Sequence, residues 1–110
     1  MDIREFKDVV IERQKILDYQ LSPTHHVDQY RAEFFLGLGY HQLVWKVLER
    51  DIRSFLKGKL VHAGKSLHGA KYTVSGPIVG PLGKSARILT VWIAQPAHNV
   101  FRFVTACPEG

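Results

Sequence analysis

Ala86-Arg87-Ile88-Leu89-Thr90-Val91-Trp92-Ile93, residues 86–93, is the stretch whose reading decides the fold. It is dense in β-branched and aromatic side chains, and Ser85 and Pro96 stand outside its ends. Its period is two: Leu89, Val91 and Ile93 fall on one side, Ile88, Thr90 and Trp92 on the other. Two more runs of the same character follow from it, Lys71 to Ser75 before and Val100 to Thr105 after. In the latter, Phe101 and Phe103 share one side, while Val100, Arg102 and Val104 share the other. Between the first two runs lies Gly76-Pro77-Ile78-Val79-Gly80-Pro81-Leu82-Gly83, whose Gly-Pro steps predict turns around a short strand, Ile78-Val79. Gln95 to Asn99 connects the last two.

Upstream the period lengthens. Asp28 is an N-cap candidate for a helix carrying Tyr30, Phe34 and Phe35, which Gly37 and Gly39 stop. A second helix is expected from His41 to Leu56. Val44, Val47, Leu48, Ile52, Phe55 and Leu56 form its apolar stripe, and Lys57-Gly58-Lys59 closes it. Glu5 to Tyr19 is helix-compatible as well, ending at Ser22-Pro23, although residues 1–12 also fit a loose arm. The expectation is an α+β fold. N-terminal helices pack on one face of a three- to four-stranded antiparallel sheet, and residues 1–110 form a single domain.

Composition narrows the function classes. A hydrophobic fraction of 45% with 23% charged residues is globular rather than disordered. No apolar run reaches the roughly 20 residues of a membrane span, and the N-terminus lacks the pattern of a signal peptide, which points to the cytoplasm with no membrane partner. Cys107 is the sole cysteine, so neither an internal disulfide nor a multi-cysteine zinc site exists. The formal net charge of +5 is divided unevenly. Residues 1–52 hold seven Lys/Arg against nine Asp/Glu, whereas residues 53–110 hold eight Lys/Arg and one acid, Glu109. A strongly cationic second half favours a polyanionic partner; a merely solvated basic surface is the plainer reading.

The familiar site motifs fail on inspection. Gly83-Lys84-Ser85 lacks the earlier glycine of a phosphate loop, since that position is Ile78, and a strand rather than a helix follows it. His25-His26 are adjacent, and His62 and His68 are six residues apart in a glycine-containing stretch, so neither pair has metal-ligand spacing. No metal or cofactor is expected. Cys107, a lone thiol past a strand, reads as a small, partly buried residue rather than a nucleophile.

The sheet offers more. A single antiparallel sheet packed on helices leaves one face free, and Thr90, Trp92 and Arg102 are candidates for it, with Lys71 and Tyr72 joining from the neighbouring strand. Lys84 and Arg87 add cations nearby in sequence. An aromatic platform amid cations suits RNA, with bases stacking on the indole and Arg or Lys neutralising phosphates. Equally, Trp92 can belong to the core and Arg102 can serve solubility alone. Were the site catalytic, the scarcity of carboxylates would favour RNA cleavage by 2′-hydroxyl attack, which needs proton transfer and cations but no metal. His62, His68 or His98 could carry the proton, with Arg102 and Lys71 on the phosphate and Thr105 or Tyr72 orienting an oxygen. Strict alternation sets Thr105 opposite Arg102, so their cooperation requires a bulge or the strand's end.

Several stretches together resemble a bacterial domain family of unknown function. They are residues 15–23 (Lys15-Ile16-Leu17-Asp18-Tyr19-Gln20-Leu21-Ser22-Pro23), Ala32-Glu33-Phe34-Phe35 with Gly37-Leu38-Gly39-Tyr40, and residues 71–77 running on to Gly80-Pro81-Leu82-Gly83-Lys84. Thr90-Val91-Trp92 and Arg102-Phe103-Val104-Thr105-Ala106-Cys107-Pro108 complete the match. Members of that family occur as small stand-alone proteins and as C-terminal modules of polymorphic toxins, and their layout is similar to the barnase/EndoU/colicin/RelE ribonuclease superfold. Arg102 and Thr105 match the closing motif, whereas Cys107 stands where the family usually has Tyr. The resemblance therefore implies a metal-independent endoribonuclease toxin with Arg102 and Thr105 catalytic, RNA as substrate and an acidic antitoxin or immunity protein as partner, while His62 joins the catalytic set on the chemistry of its imidazole alone. The alternative is a non-catalytic interaction module, such as an antitoxin or immunity partner, or an RNA-binding domain without cleavage.

Overall fold

A computed structural model describes residues 8–16, 29–95 and 100–109. The main body is a sheet of five strands: β1 (Asp8–Val10), β2 (Val61–Ser66), β3 (Gly69–Val79), β4 (Ser85–Gln95) and β5 (Val100–Pro108). Their order across the sheet is β1-β5-β4-β3-β2, with β1 parallel to β5 and every other pairing antiparallel. Among the described residues, α1 (Gln29–Gly37) and α2 (Trp45–Ser54) lie between β1 and β2, and 3-10 turns at Gln42–Val44 and Phe55–Lys57 extend α2 at both ends.

This architecture corrects the expected one. The sheet is mixed, has five strands rather than three or four, and strands rather than helices dominate the described residues. The first described element is a strand, in a stretch whose sequence is compatible with a helix or, over 1–12, a loose arm, and a helical turn follows at 13–16. Val9-Val10-Ile11 favours extended backbone, and pairing with β5 (Val9↔Phe101) supplies hydrogen bonds that an isolated short helix would lack. β2 escaped notice for a different reason. Its Val-His-Ala-Gly-Lys-Ser sequence has no apolar face, because it is an exposed edge strand held through its backbone to β3. Residue 28 and the rest of 17–28, and His98 in 96–99, lie outside the described residues.

β3 runs unbroken through Gly76-Pro77. The Arg87 carbonyl accepts from the Glu109 N–H on the β5 side, so the Pro77–Arg87 pair is not hydrogen-bonded and the proline nitrogen points to the open edge. The last β2 pair is Val61↔Thr73, so no neighbour there misses the absent donor. Beyond β3, Gly80 presses on the α1 exit: a Cβ on it would stand 2.0 Å from the Leu38 carbonyl oxygen. Leu82 N–H donates to that same oxygen at 3.3 Å. The Gly37–Tyr40 and Gly80–Gly83 segments thus serve each other as a joint between helix and sheet.

One face of the sheet carries the core. Val74 and Ile78 of β3, Ile88, Trp92 and Ala94 of β4, and Phe101, Phe103 and Ala106 of β5 meet Phe35, Leu48, Ile52 and Phe55 from the helical side. Leu48, Ile52 and Phe55 recur at four- and three-residue spacing, which places them on one stripe running from α2 into the 3-10 turn that continues it. No helix among the described residues is long and apolar enough to cross a membrane.

Tyr40, fully buried, hangs between these layers. Its hydroxyl lies 2.5 Å from Asp51 Oδ2 on α2 and 3.3 Å from the Val79 carbonyl. Burial first, then the hydrogen bond to Asp51, pushes the phenol well above its ordinary titration range. The folded state thus prefers the protonated phenol. The stability it contributes is full below the usual tyrosine value of about 10 and falls away at higher pH. Tyr40→Phe is expected to lower unfolding stability by about 2 kcal/mol at neutral pH and to flatten the loss of stability above pH ~10. Urea titrations of both proteins at neutral and alkaline pH check this.

Candidate nucleic-acid interface

Trp92 is fully buried. Its ring stacks on Phe101 at 5.6 Å between centroids and meets Phe103 edge-on at 5.3 Å. Its Nε1–H donates to Thr90 Oγ1 at 2.9 Å, and the Thr90 hydroxyl donates in turn to the Val74 carbonyl at 2.8 Å. Thr90 is also fully buried, so this chain satisfies both polar groups without water. Trp92 and Thr90 therefore belong to the core rather than to an open stacking surface. Directly paired residues share a face, and Trp92 pairs with Tyr72, which pairs with His62. His62 and Tyr72 accordingly sit on the helix-bearing side, their rings 5.3 Å apart, with His62 exposed at the rim.

The opposite face gathers the other candidates. Lys71, Ile93 and Arg102 form one cross-strand row. Adjacent strands lie about 4.8 Å apart, so the Lys71 and Arg102 backbones flank Ile93 with roughly 10 Å between them. Thr105 joins this face through an irregularity in β5. Trp92 pairs with Phe103 and Val91 with Thr105, so Val104 is an extra residue opposite the Val91–Trp92 step. Phe103 and Ala106 are both fully buried while Val104 and Thr105 are half-buried, as a β-bulge requires. The bulge that cooperation between Arg102 and Thr105 demanded is present. Cys107 follows on the same face, paired with Leu89 and half-buried. Lys84 and Arg87 stand at the far end, Arg87 being six residues or roughly 20 Å along β4 from Ile93. Arg87 is engaged by Glu109 at 2.9 Å, an ion pair that, with Ser75, holds the Glu109 carboxyl below its usual range.

Around Arg102 the surface sinks into a depression of about 510 Å³. Ile93 and Val104 line it with Arg102, Gln95, Glu12, Lys15 and His68. The guanidinium is held from two sides: Nε donates to Gln95 Oε1 at 3.1 Å, and Nη1 donates to the Glu12 carboxylate. These acceptors fix the plane of the guanidinium. Lys15 arrives from the helical turn at 13–16, whose Ile16 is fully buried, and its Nζ reaches the Val104 carbonyl at 3.4 Å. His68 comes from the two-residue β2–β3 turn.

Three of these residues, Glu12, Lys15 and Gln95, carry no site signal in the sequence. Glu12, Lys15 and Gln95 could be recognised only once β1 lay beside β5 and the chain beyond it turned across Arg102. His68 is one of the three histidines whose imidazoles could carry the proton. The depression also brings a carboxylate to the cationic half, which contains almost none of its own. Among the described residues, no three His, Cys, Asp or Glu side chains converge as a metal site would need. The placement of Trp92 has a direct consequence. Trp92→Ala is expected to cost about 3–5 kcal/mol of unfolding free energy through the cavity left among Phe101, Phe103 and Thr90. Urea unfolding followed by circular dichroism measures it.

Comparison with known proteins fits this geometry into a wider frame. No curated protein matches the chain. Among solved structures, a chain of a contact-dependent growth inhibition toxin–immunity protein complex from Klebsiella pneumoniae 342 has the same fold. Its TM-score is 0.73 at 19% sequence identity, over 99% of this chain and 97% of that one. The family model described as a domain of unknown function, DUF6883, matches residues 2–110, and the chain belongs to that family.

Proposed function

We propose that the chain is a metal-independent endoribonuclease of the bacterial toxin class, working on the face opposite the helices. The observation that carries this reading is the β5 bulge, which sets Arg102 and Thr105 on one face beside a depression furnished with Lys15, His68 and Glu12. RNA cleavage by internal attack of the 2′-hydroxyl passes through a phosphorane whose equatorial oxygens gather negative charge. Arg102, already oriented by Gln95 and Glu12, and Lys15 supply the cations there, with Lys71 binding the chain across Ile93. Thr105 orients a phosphate oxygen from the neighbouring row.

The likeness to a chain from a toxin–immunity complex fits a toxin or an immunity role, and the resemblance of the family to the barnase/EndoU/colicin/RelE layout favours the toxin. A basic face of this kind fits an acidic immunity or antitoxin protein as its partner, because covering the phosphate-binding cations would block the site. The direct test incubates purified protein with total RNA in EDTA. Discrete cleavage products are expected, and Arg102→Ala is expected to reduce the rate by about 100-fold or more. Expression of the wild type should be toxic to bacteria and the variant harmless. Intact RNA and harmless wild-type expression would overturn the reading.

A further inference from the structure

We propose that His68, at the tip of the β2–β3 hairpin, is the residue that protonates the leaving oxygen in this cleavage. The inference rests on the ribonuclease reading above and assigns the acid that reading leaves open.

The hairpin is built to hold His68 in place. Ser66 Oγ accepts from the His68 backbone N–H at 3.1 Å and donates to the Gly69 carbonyl at 3.2 Å, so one hydroxyl clasps both sides of the turn. Gly69 has φ 140°, and a Cβ there would stand 2.0 Å from the Ala94 carbonyl oxygen. Only glycine lets the tip lie this close to β4. As a result His68 lines the depression with Arg102, Lys15, Glu12 and Gln95, although it is 34 residues from Arg102 in the chain. His62, the other histidine of the hairpin, is turned to the helix-bearing side against Tyr72.

The chemistry balances with this placement. The 2′-hydroxyl loses its proton to water, and its oxygen forms a bond to phosphorus. The P–O5′ bond breaks as the His68 imidazolium passes a proton to O5′. The products are a 2′,3′-cyclic phosphate and a free 5′-hydroxyl. An alkoxide leaving group needs that proton, whereas a nitrophenolate does not.

The leaving group therefore provides the test. His68→Ala is expected to slow cleavage of a uridine-containing dinucleotide by about 100-fold or more, and that of the 4-nitrophenyl ester of uridine 3′-phosphate by less than about fivefold. Ser66→Ala, which loosens the turn without touching the imidazole, should lose about tenfold on the dinucleotide with the same sparing of the ester. His68 is exposed, so its replacement leaves the core intact, and matched thermal unfolding of the variants verifies this. Equal losses on both substrates, or no loss on either, would overturn the assignment while the ribonuclease reading stands. A wild-type protein that cleaves neither substrate would instead overturn the ribonuclease reading, and this one with it.

Discussion

A single extra residue in β5 reconciles two demands that a regular strand cannot meet together. Phe101, Phe103 and Ala106 must all face the helices, since all three are fully buried, yet their spacings are two and then three. Inserting Val104 opposite the Val91–Trp92 step absorbs the odd residue and turns Thr105 outward, onto the face of Arg102. The inner side then closes over Trp92, whose indole is gripped by two phenylalanines and the Thr90–Val74 hydrogen-bond chain. The outer side gains its row of polar groups. Core and site are thus two consequences of one irregularity, and the rigid aromatic layer behind β4 and β5 gives the outer residues a fixed platform.

Around that platform the site is assembled from distant segments. β5 supplies Arg102 and Thr105, β4 supplies Gln95 and Ile93, the turn after β1 supplies Glu12 and Lys15, and the β2–β3 hairpin supplies His68. Each contributor is anchored by packing or pairing of its own. Ile16 is sunk in the core, Gly69 lies against Ala94, and β1 is paired to β5. The Arg53 guanidinium on α2 donates to the Val9 carbonyl at 3.1 Å, tying β1 to the helical layer as well. The division of charge along the sequence acquires a structural meaning here. The acidic first half lends one carboxylate to the cationic second half, where it holds Arg102 in place.

Much of the sheet was legible from residues. The runs at 71–75, 86–93 and 100–105 announce strands because β-branched and aromatic side chains alternate through them, and the structure extends each. What alternation cannot say is which side of β4 meets the core, because both sides are apolar. Alternation therefore leaves Trp92 and Thr90 open to either face, and the structure sets both inside. β2 gave no signal, since an edge strand held by backbone alone needs no apolar pattern. β1 was hidden by its length, three residues whose extended form depends on a partner some ninety positions away. The bulge had left a trace, the 101–103–106 spacing of apolar residues, which breaks strict alternation. Similarly, the paired motifs Gly37-Leu38-Gly39-Tyr40 and Gly80-Pro81-Leu82-Gly83 carry packing rather than chemistry: they are the two halves of one joint.

The central claim is that the face bearing Arg102, and not the aromatic side of the sheet, receives the phosphodiester chain. Titrating the isotopically labelled protein with a 2′-O-methyl RNA oligonucleotide, which cannot be cleaved, and following backbone amide resonances locates that contact residue by residue. The account predicts salt-sensitive shifts concentrated at Lys71, Ile93, Arg102, Thr105 and the His68 turn, with Trp92 and Phe103 little changed. Shifts centred on His62, Tyr72 and the helices, or no shifts at all at low salt, would contradict it.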